Sequence, residues 1–169
     1  MRRIALLVSG AVLVFGFCSR IEEAHAAEKD VEKIPFCQYC GMDRQRVAST
    51  RMLVEYGNKT AIGTCSIHCA AIDLAQSFNK EIQTILVADH RSGRLVDAAK
   101  AVWVIGARVP GVMAAKSRVA FTSRGDAESF RRENGGEIAD FEVALDSTFL
   151  DMPTDTRSIR EWRARQGAL

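Results

Sequence analysis

Four cysteines in two close pairs constrain this chain more than any other feature of it. The first pair lies in Phe36-Cys37-Gln38-Tyr39-Cys40-Gly41-Met42 and the second in Gly63-Thr64-Cys65-Ser66-Ile67-His68-Cys69. Two short-spaced pairs of this kind form a metal-site signature, because a fold that satisfies them must bring two distant stretches of chain to one point. A C-x-x-C turn folds back so that both sulfurs face one ion, and Gly41 permits the tight backbone that such a knuckle needs. Cys65 and Cys69 are i and i+4, so on a helix they share one face. At a helix N-terminus the dipole also favours thiolate over thiol.

Ligand chemistry narrows the choice of ion. Four thiolates alone favour zinc or an iron–sulfur cluster, whereas thioether beside thiolate favours Cu(I). Met42 follows Cys40 by two residues, His68 sits just before Cys69, and Met113 lies in Pro110-Gly111-Val112-Met113. The expected metal set is therefore Cys37, Cys40, Met42, Cys65, His68, Cys69 and Met113, with Cu(I) as the ion and zinc as the alternative. Two rival readings use the same cysteines. One is a structural zinc or heavy-metal domain, and the other is a pair of disulfides or a thiol–disulfide redox protein. Met52 reads as core and His90 as an exposed turn residue. No Ser/His/Asp grouping, phosphate loop or dinucleotide fingerprint is present, so no enzymatic activity is expected. The formal net charge of +2 is too small a bias to predict nucleic-acid or anionic-membrane binding.

The first 26 residues read as an export signal. Arg2 and Arg3 precede an uncharged apolar run from Ile4 to Cys18, and Ala24-His25-Ala26 offers small residues at a cleavage site. The run is too short for a typical membrane-spanning helix. The mature chain is thus expected in the periplasm. Cys18 stands where a lipoprotein cysteine would stand, but Phe17 replaces the small residue such signals take. Membrane attachment is expected only if Cys18 is lipidated.

The remainder reads as α+β. Arg51–Tyr56 has strand character, Gly57-Asn58-Lys59 is a hairpin signal, and Thr60–Thr64 is the return strand. Ile67, Ala70, Ala71, Leu74 and Phe78 repeat at helical spacing, predicting an amphipathic helix over 66–79. Ile82–Ala88 is a strand and Asp89–Gly93 a turn. A similar order follows, with strands at Val102–Gly106 and Arg118–Thr122, a helix over Gly125–Asn134 stopped by Gly135-Gly136, and a strand at Ile138–Leu145. The fold class is therefore two related strand-strand-helix-strand lobes. The expected divisions are a signal peptide at 1–26, a flexible lead-in at 27–35, a metal-binding lobe at 36–100, a second lobe at 101–150 and a helical tail at 151–169, the last docked by Trp162.

Cys37-Gln38-Tyr39-Cys40-Gly41-Met42 resembles the C-x-x-C-G-M signature of the NosL family, the nitrous oxide reductase accessory proteins. Ala101-Val102-Trp103-Val104 resembles the tryptophan-bearing strand of that family, and Pro110-Gly111-Val112-Met113 its Pro-x-x-Met turn. The stretch from Ala120 to Phe130, followed by Asn134-Gly135-Gly136, is similar to the family's Phe-x-x-Arg-x-Asp-Ala-Glu-x-Phe…Gly-Gly text. The likeness runs from about Phe36 to about Phe141. It implies a periplasmic Cu(I)-binding metallochaperone, usually lipid-anchored, that supplies copper for nitrous oxide reductase maturation. The implied partner is a copper-accepting protein or a membrane transporter complex of that assembly, and the implied fold is similar to the core of alkylmercury lyase. By position, Cys40 and Met42 are the motif's metal-binding pair and Met113 is the candidate from the second lobe. Cys37, Cys40, Cys65 and Cys69 also resemble the C-x-x-C…C-x-x-x-C pattern of the TRASH heavy-metal motif.

Overall fold

The computed structural model describes residues 30–165. The expected signal, its cleavage site and Cys18 lie outside those residues, as does the side chain of Trp162. Strand β1 (Met52–Tyr56) and strand β2 (Ala61–Thr64) form a hairpin in which Met52 opposes Thr64 and Leu53 opposes Gly63. The turn closes because the Tyr56 N–H donates to the Thr60 carbonyl at 2.9 Å and the Thr60 N–H donates to the Asn58 side chain at 3.1 Å. Helix α1 (Ile67–Gln76) follows, then β3 (Ile82–Ala88) and the short β4 (Leu95–Asp97), giving an antiparallel sheet of order β2-β1-β3-β4.

The second half repeats the plan. Strands β5 (Val102–Ile105) and β6 (Arg118–Phe121) pair, helix α2 (Arg124–Asn134) follows, and β7 (Glu137–Ala139) returns to the far side of β5. The resulting order is β6-β5-β7. Each unit thus places its first strand centrally, its second beside it as a hairpin, and its third on the other flank after a helix. The expected repeat of strand, strand, helix, strand is the architecture observed.

One core joins the two units. Met52, Ile67, Ala70 and Val87 from the first pack with Trp103, Ala120, Phe141 and Ala144 from the second. Trp103 is buried, and its indole N–H donates to the Ala98 carbonyl at 3.1 Å, so its polar edge is satisfied inside the apolar cluster. A smaller cluster of Val104, Val119, Phe121 and Ala127 lies under α2. At the seam, Asp89 bridges to Ala120, and its carboxylate accepts from the Thr122 N–H at 2.7 Å.

Several elements depart from the sequence reading. Helix α1 stops at Gln76, where the Ser77 N–H closes on the Asp73 carbonyl, and Phe78 is 89% exposed rather than on the buried face. The predicted strand at Ile138–Leu145 is cut to three residues. Asp140 accepts from the Val143 N–H at 2.9 Å and so starts a helix where the apolar run continues. That helix, α3 (Phe141–Arg165), absorbs the tail and runs through Pro153. In the segment read as a flexible lead-in, residues 30–33 are helical and Asp30 is buried. His90 is half-buried, with its ring edge-on to Phe121 and Phe130 at 5.6 and 5.1 Å.

Candidate metal centre

The first cysteine pair sits in a tight knuckle. The Cys37 N–H donates to the Met42 carbonyl at 2.8 Å, and the Gly41 N–H donates to the Cys37 carbonyl at 2.9 Å. Gly41 has φ +73°, a left-handed conformation that L side chains rarely adopt. Gln38 ties the knuckle to β2, since its N–H donates to the Gly63 carbonyl at 3.1 Å and its side-chain oxygen accepts from the Gly63 N–H at 3.2 Å. The second pair comes from the entrance to α1. Cys65 follows β2 directly, Ser66 is the N-cap, and Cys69 lies in the first turn.

These two devices bring four thiols together. Cys40 Sγ is 3.5 Å from Cys65 Sγ, Cys65 Sγ is 3.6 Å from Cys69 Sγ, and all four sulfurs lie within 4.8 Å of one another. Ligands about 2.3 Å from a tetrahedral zinc lie about 3.8 Å apart, so the Cys40–Cys65 and Cys65–Cys69 pairs stand near ligand spacing. None of the four is in a disulfide. Cys37, Cys65 and Cys69 are buried, and Cys40 is half-buried.

The four cysteines shift one another's ionisation in opposite directions. Contacts from the Cys40, Cys65 and Cys69 thiols hold Cys37 far below the ordinary thiol range, against its burial. Cys37 pushes Cys40 up, but Cys65 and Cys69 pull it down further, to about 7. Cys65 and Cys69 are both pushed up, in each case first by Cys37 and then by Cys40. The two cysteines shifted down are thus those of the knuckle, and the two shifted up are those of the helix. Thiolate is the form that ligates metal.

The sulfur cluster also gathers both thioethers of the expected set. Met42 and Met113 pack against the buried cysteines, together with Tyr39, Val47 and Val112. A cleft of about 610 Å³ opens beside them, lined by Cys40, Met42, Met113, Ala115, Asp155 and Ile159 among others. Of the four sulfurs, Cys40 is the one on this cleft. His68 is not in the sulfur group. Its Nδ1 lies 3.7 Å from Asp155 Oδ2, and both residues are almost fully buried. Burial pushes the His68 imidazole below its ordinary value, opposing the neighbouring Asp155 carboxylate.

Three groups around the site escaped the sequence reading. Asp73 accepts from the Tyr39 and Tyr56 hydroxyls, each at 2.6 Å, and so ties knuckle, helix and β1 together. Arg44 is fully buried, donating to the Thr64 carbonyl and to Asp30, which also pairs with Arg51. Asp155 arrives from α3. Asp73 follows Cys69 by four residues, so helical spacing could have placed it on the cysteine face. Nothing local marks Asp30 or Asp155.

The NosL family model matches residues 28–147. Comparison with curated proteins finds no match. Among solved structures, the crystal structure of the copper chaperone NosL from Shewanella denitrificans aligns with a TM-score of 0.51 at 19% identity, covering 63% of this chain and 87% of that one. The solution NMR structure of the apo-NosL protein from Achromobacter cycloclastes gives a TM-score of 0.37 at 22% identity, covering 54% and 82%. The first likeness supports the same α+β fold.

Proposed function

The chain belongs to the NosL family, and from that membership we propose that it is a Cu(I)-carrying metallochaperone that delivers copper for nitrous oxide reductase maturation. The observation that carries the reading is the sidedness of the sulfur cluster. Three thiols are buried, while Cys40, Met42 and Met113 border an open cleft. A purely structural ion needs no such opening, because a closed tetrahedral cage serves it best. A transferable ion does, because an acceptor's sulfur has to reach it. The donor set agrees with a soft cargo, with thiolates below and thioethers at the mouth.

In this reading the Cys37 and Cys40 thiolates capture Cu(I), and Cys65 and Cys69 enclose it. Met42 and Met113 exchange with ligands of a docked acceptor, either a copper-accepting protein or a transporter complex of the reductase assembly. His68, turned to Asp155, does not ligate the ion. Transfer is ligand exchange with no catalytic step. The setting is the periplasm, with membrane attachment only through a lipidated Cys18.

The test is an anaerobic titration of the reduced chain with Cu(I) against a chromogenic competitor, after a free-thiol count. One tight equivalent of Cu(I), with zinc bound far more weakly, is expected. The Cys37→Ser, Cys40→Ser double variant is expected to lose that equivalent, and unchanged binding would overturn the reading. Tight zinc with unfolding by chelator would assign the site to structure instead, since a structural ion contributes folding energy directly.

A further inference from the structure

Met113 stands in an unusual piece of backbone. Its φ is +57°, in the left-handed region that non-glycine residues seldom enter. Two residues earlier, a Cβ on Gly111 would overlap the Ala114 carbonyl, so the chain doubles back tightly on itself. A left-handed residue of this kind persists only where its surroundings over-determine it. Two hydrogen bonds from outside the turn do so. Ser66 Oγ donates to the Val112 carbonyl at 2.9 Å, and the Ala115 N–H donates to Asp155 Oδ1 at 2.9 Å. The two clamps fall on either side of Met113.

Asp155 is well suited to such a task. It is 2% exposed, lines the cleft beside Cys40 and Met42, and comes from α3, far from the turn in sequence. Among the described residues its Oδ2 has no hydrogen-bond partner, and it faces His68 Nδ1, which also has none there. A buried carboxylate in a sulfur-lined site is costly unless something requires it. The hydrogen bond its carboxylate accepts comes from the turn that carries Met113.

We propose that Asp155 is a positioning residue for copper binding, holding the Met113 turn by its Ala115 N–H so that the thioether stays over the cysteine cluster. This rests on the carrier reading above. Asp155 does not touch the ion, so its effect on copper passes through Met113. Asp155 is a cleaner probe than Ser66, because Ser66 is bonded to Cys65 and any substitution there disturbs a ligand directly.

The experiment is the same competitive Cu(I) titration on the full reduced chain, with the wild type, Met113→Leu, Asp155→Ala, Asp155→Asn and the Met113→Leu, Asp155→Ala double variant. Each variant is also titrated with zinc, and its apo thermal midpoint is recorded. Met113→Leu and Asp155→Ala are each expected to weaken Cu(I) by about 10- to 100-fold. The double variant is expected to be no weaker than Met113→Leu alone, because positions that act through one contact are not additive. Asp155→Asn keeps an acceptor oxygen for the Ala115 N–H and is expected to stay near the wild type. Zinc, held by the thiolates, is expected to be unaffected.

Additive losses in the double variant, or a parallel loss of zinc, would overturn the positioning role and make Asp155 a general support of the fold. Cu(I) binding by Asp155→Ala equal to that of the wild type would overturn it as well. Should Asp155→Ala fail to fold, Asp155→Leu keeps the branched outline and removes the acceptor. A wild type that takes up no Cu(I) would overturn the carrier reading, and the positioning role with it.

Discussion

Asp73 carries a load out of proportion to its visibility. It is 1% exposed, lies one turn beyond Cys69, and takes both tyrosine hydroxyls on its two oxygens. Through Tyr39 it grips the knuckle between Cys37 and Cys40, and through Tyr56 it grips the central strand. Both hydroxyls are pushed above the ordinary tyrosine range, by burial first and by Asp73 next, so they remain protonated donors. Asp73→Ala strands two hydroxyls, and each buried unsatisfied group costs about 1–3 kcal/mol. The expected loss is roughly 2–6 kcal/mol, read from urea unfolding of the reduced apo chain. Tyr39→Phe removes one contact and leaves Tyr56 in place. It is expected to loosen the knuckle, lowering metal affinity more than stability, which the competitive titration would detect.

At the scale of elements, the segment that enters the first lobe is anchored by charge. Asp30 accepts from Arg44 at 2.7 Å and from Arg51 at 2.9 Å, with all three side chains buried. Arg44 also donates to the carbonyls of Ile34, Met52 and Thr64, so one guanidinium spans the lead-in, β1 and the end of β2. Removing one member of such a group leaves uncompensated buried charge. Asp30→Ala is therefore expected to cost about 3–5 kcal/mol, measured by the denaturant midpoint. A surface ion pair such as Arg124 with Glu128 is expected to contribute about 0.3–0.5 kcal/mol.

The contrast between Asp30 and the cysteines explains what could be read in advance. The cysteine pairs were legible because their chemistry is tied to short spacing, a knuckle in one case and one helical turn in the other. The strand order followed from alternation and the Gly57-Asn58-Lys59 turn. Asp30 was not legible, because its partners lie 14 and 21 positions away and charged lead-ins usually face water. Asp140 did carry a signal, an N-cap residue before an apolar run, but the run also suited a strand. His68 sits at helical spacing beside the ligands, yet its ring faces Asp155, on a helix that no local pattern connects to it.

At the scale of the whole molecule, Asp89 governs how the two units meet. Its Oδ1 accepts from the Ser92 N–H and hydroxyl at 2.8 Å each, closing a turn in the first unit, while its Oδ2 accepts from Thr122 in the second. Burial alone would raise this carboxyl, but the donors of Thr122 and Ser92 outweigh it and hold it below the ordinary range. Because the folded value is the lower one, ionised Asp89 stabilises the fold above the unfolded carboxyl value of about 3.9. That contribution is lost as pH falls through the folded value. Asp89→Asn is expected to destabilise the chain near neutral pH by roughly 1–3 kcal/mol. The difference from wild type should shrink below about pH 4, and urea midpoints across the acid range would show it.

The two units use the same positions for opposite ends. Laid N-cap on N-cap, Ser66 on Ser123, Cys65 falls on Thr122 and Cys69 on Asp126. In the second unit Ser123 accepts from the Asp126 N–H at 3.1 Å and closes its own helix. In the first, Ser66 makes no such cap and reaches across to Val112 instead. One copy of the pattern is a self-sufficient scaffold. The other gives its helix start to sulfur, and its N-cap hydroxyl ties that start to the second unit instead.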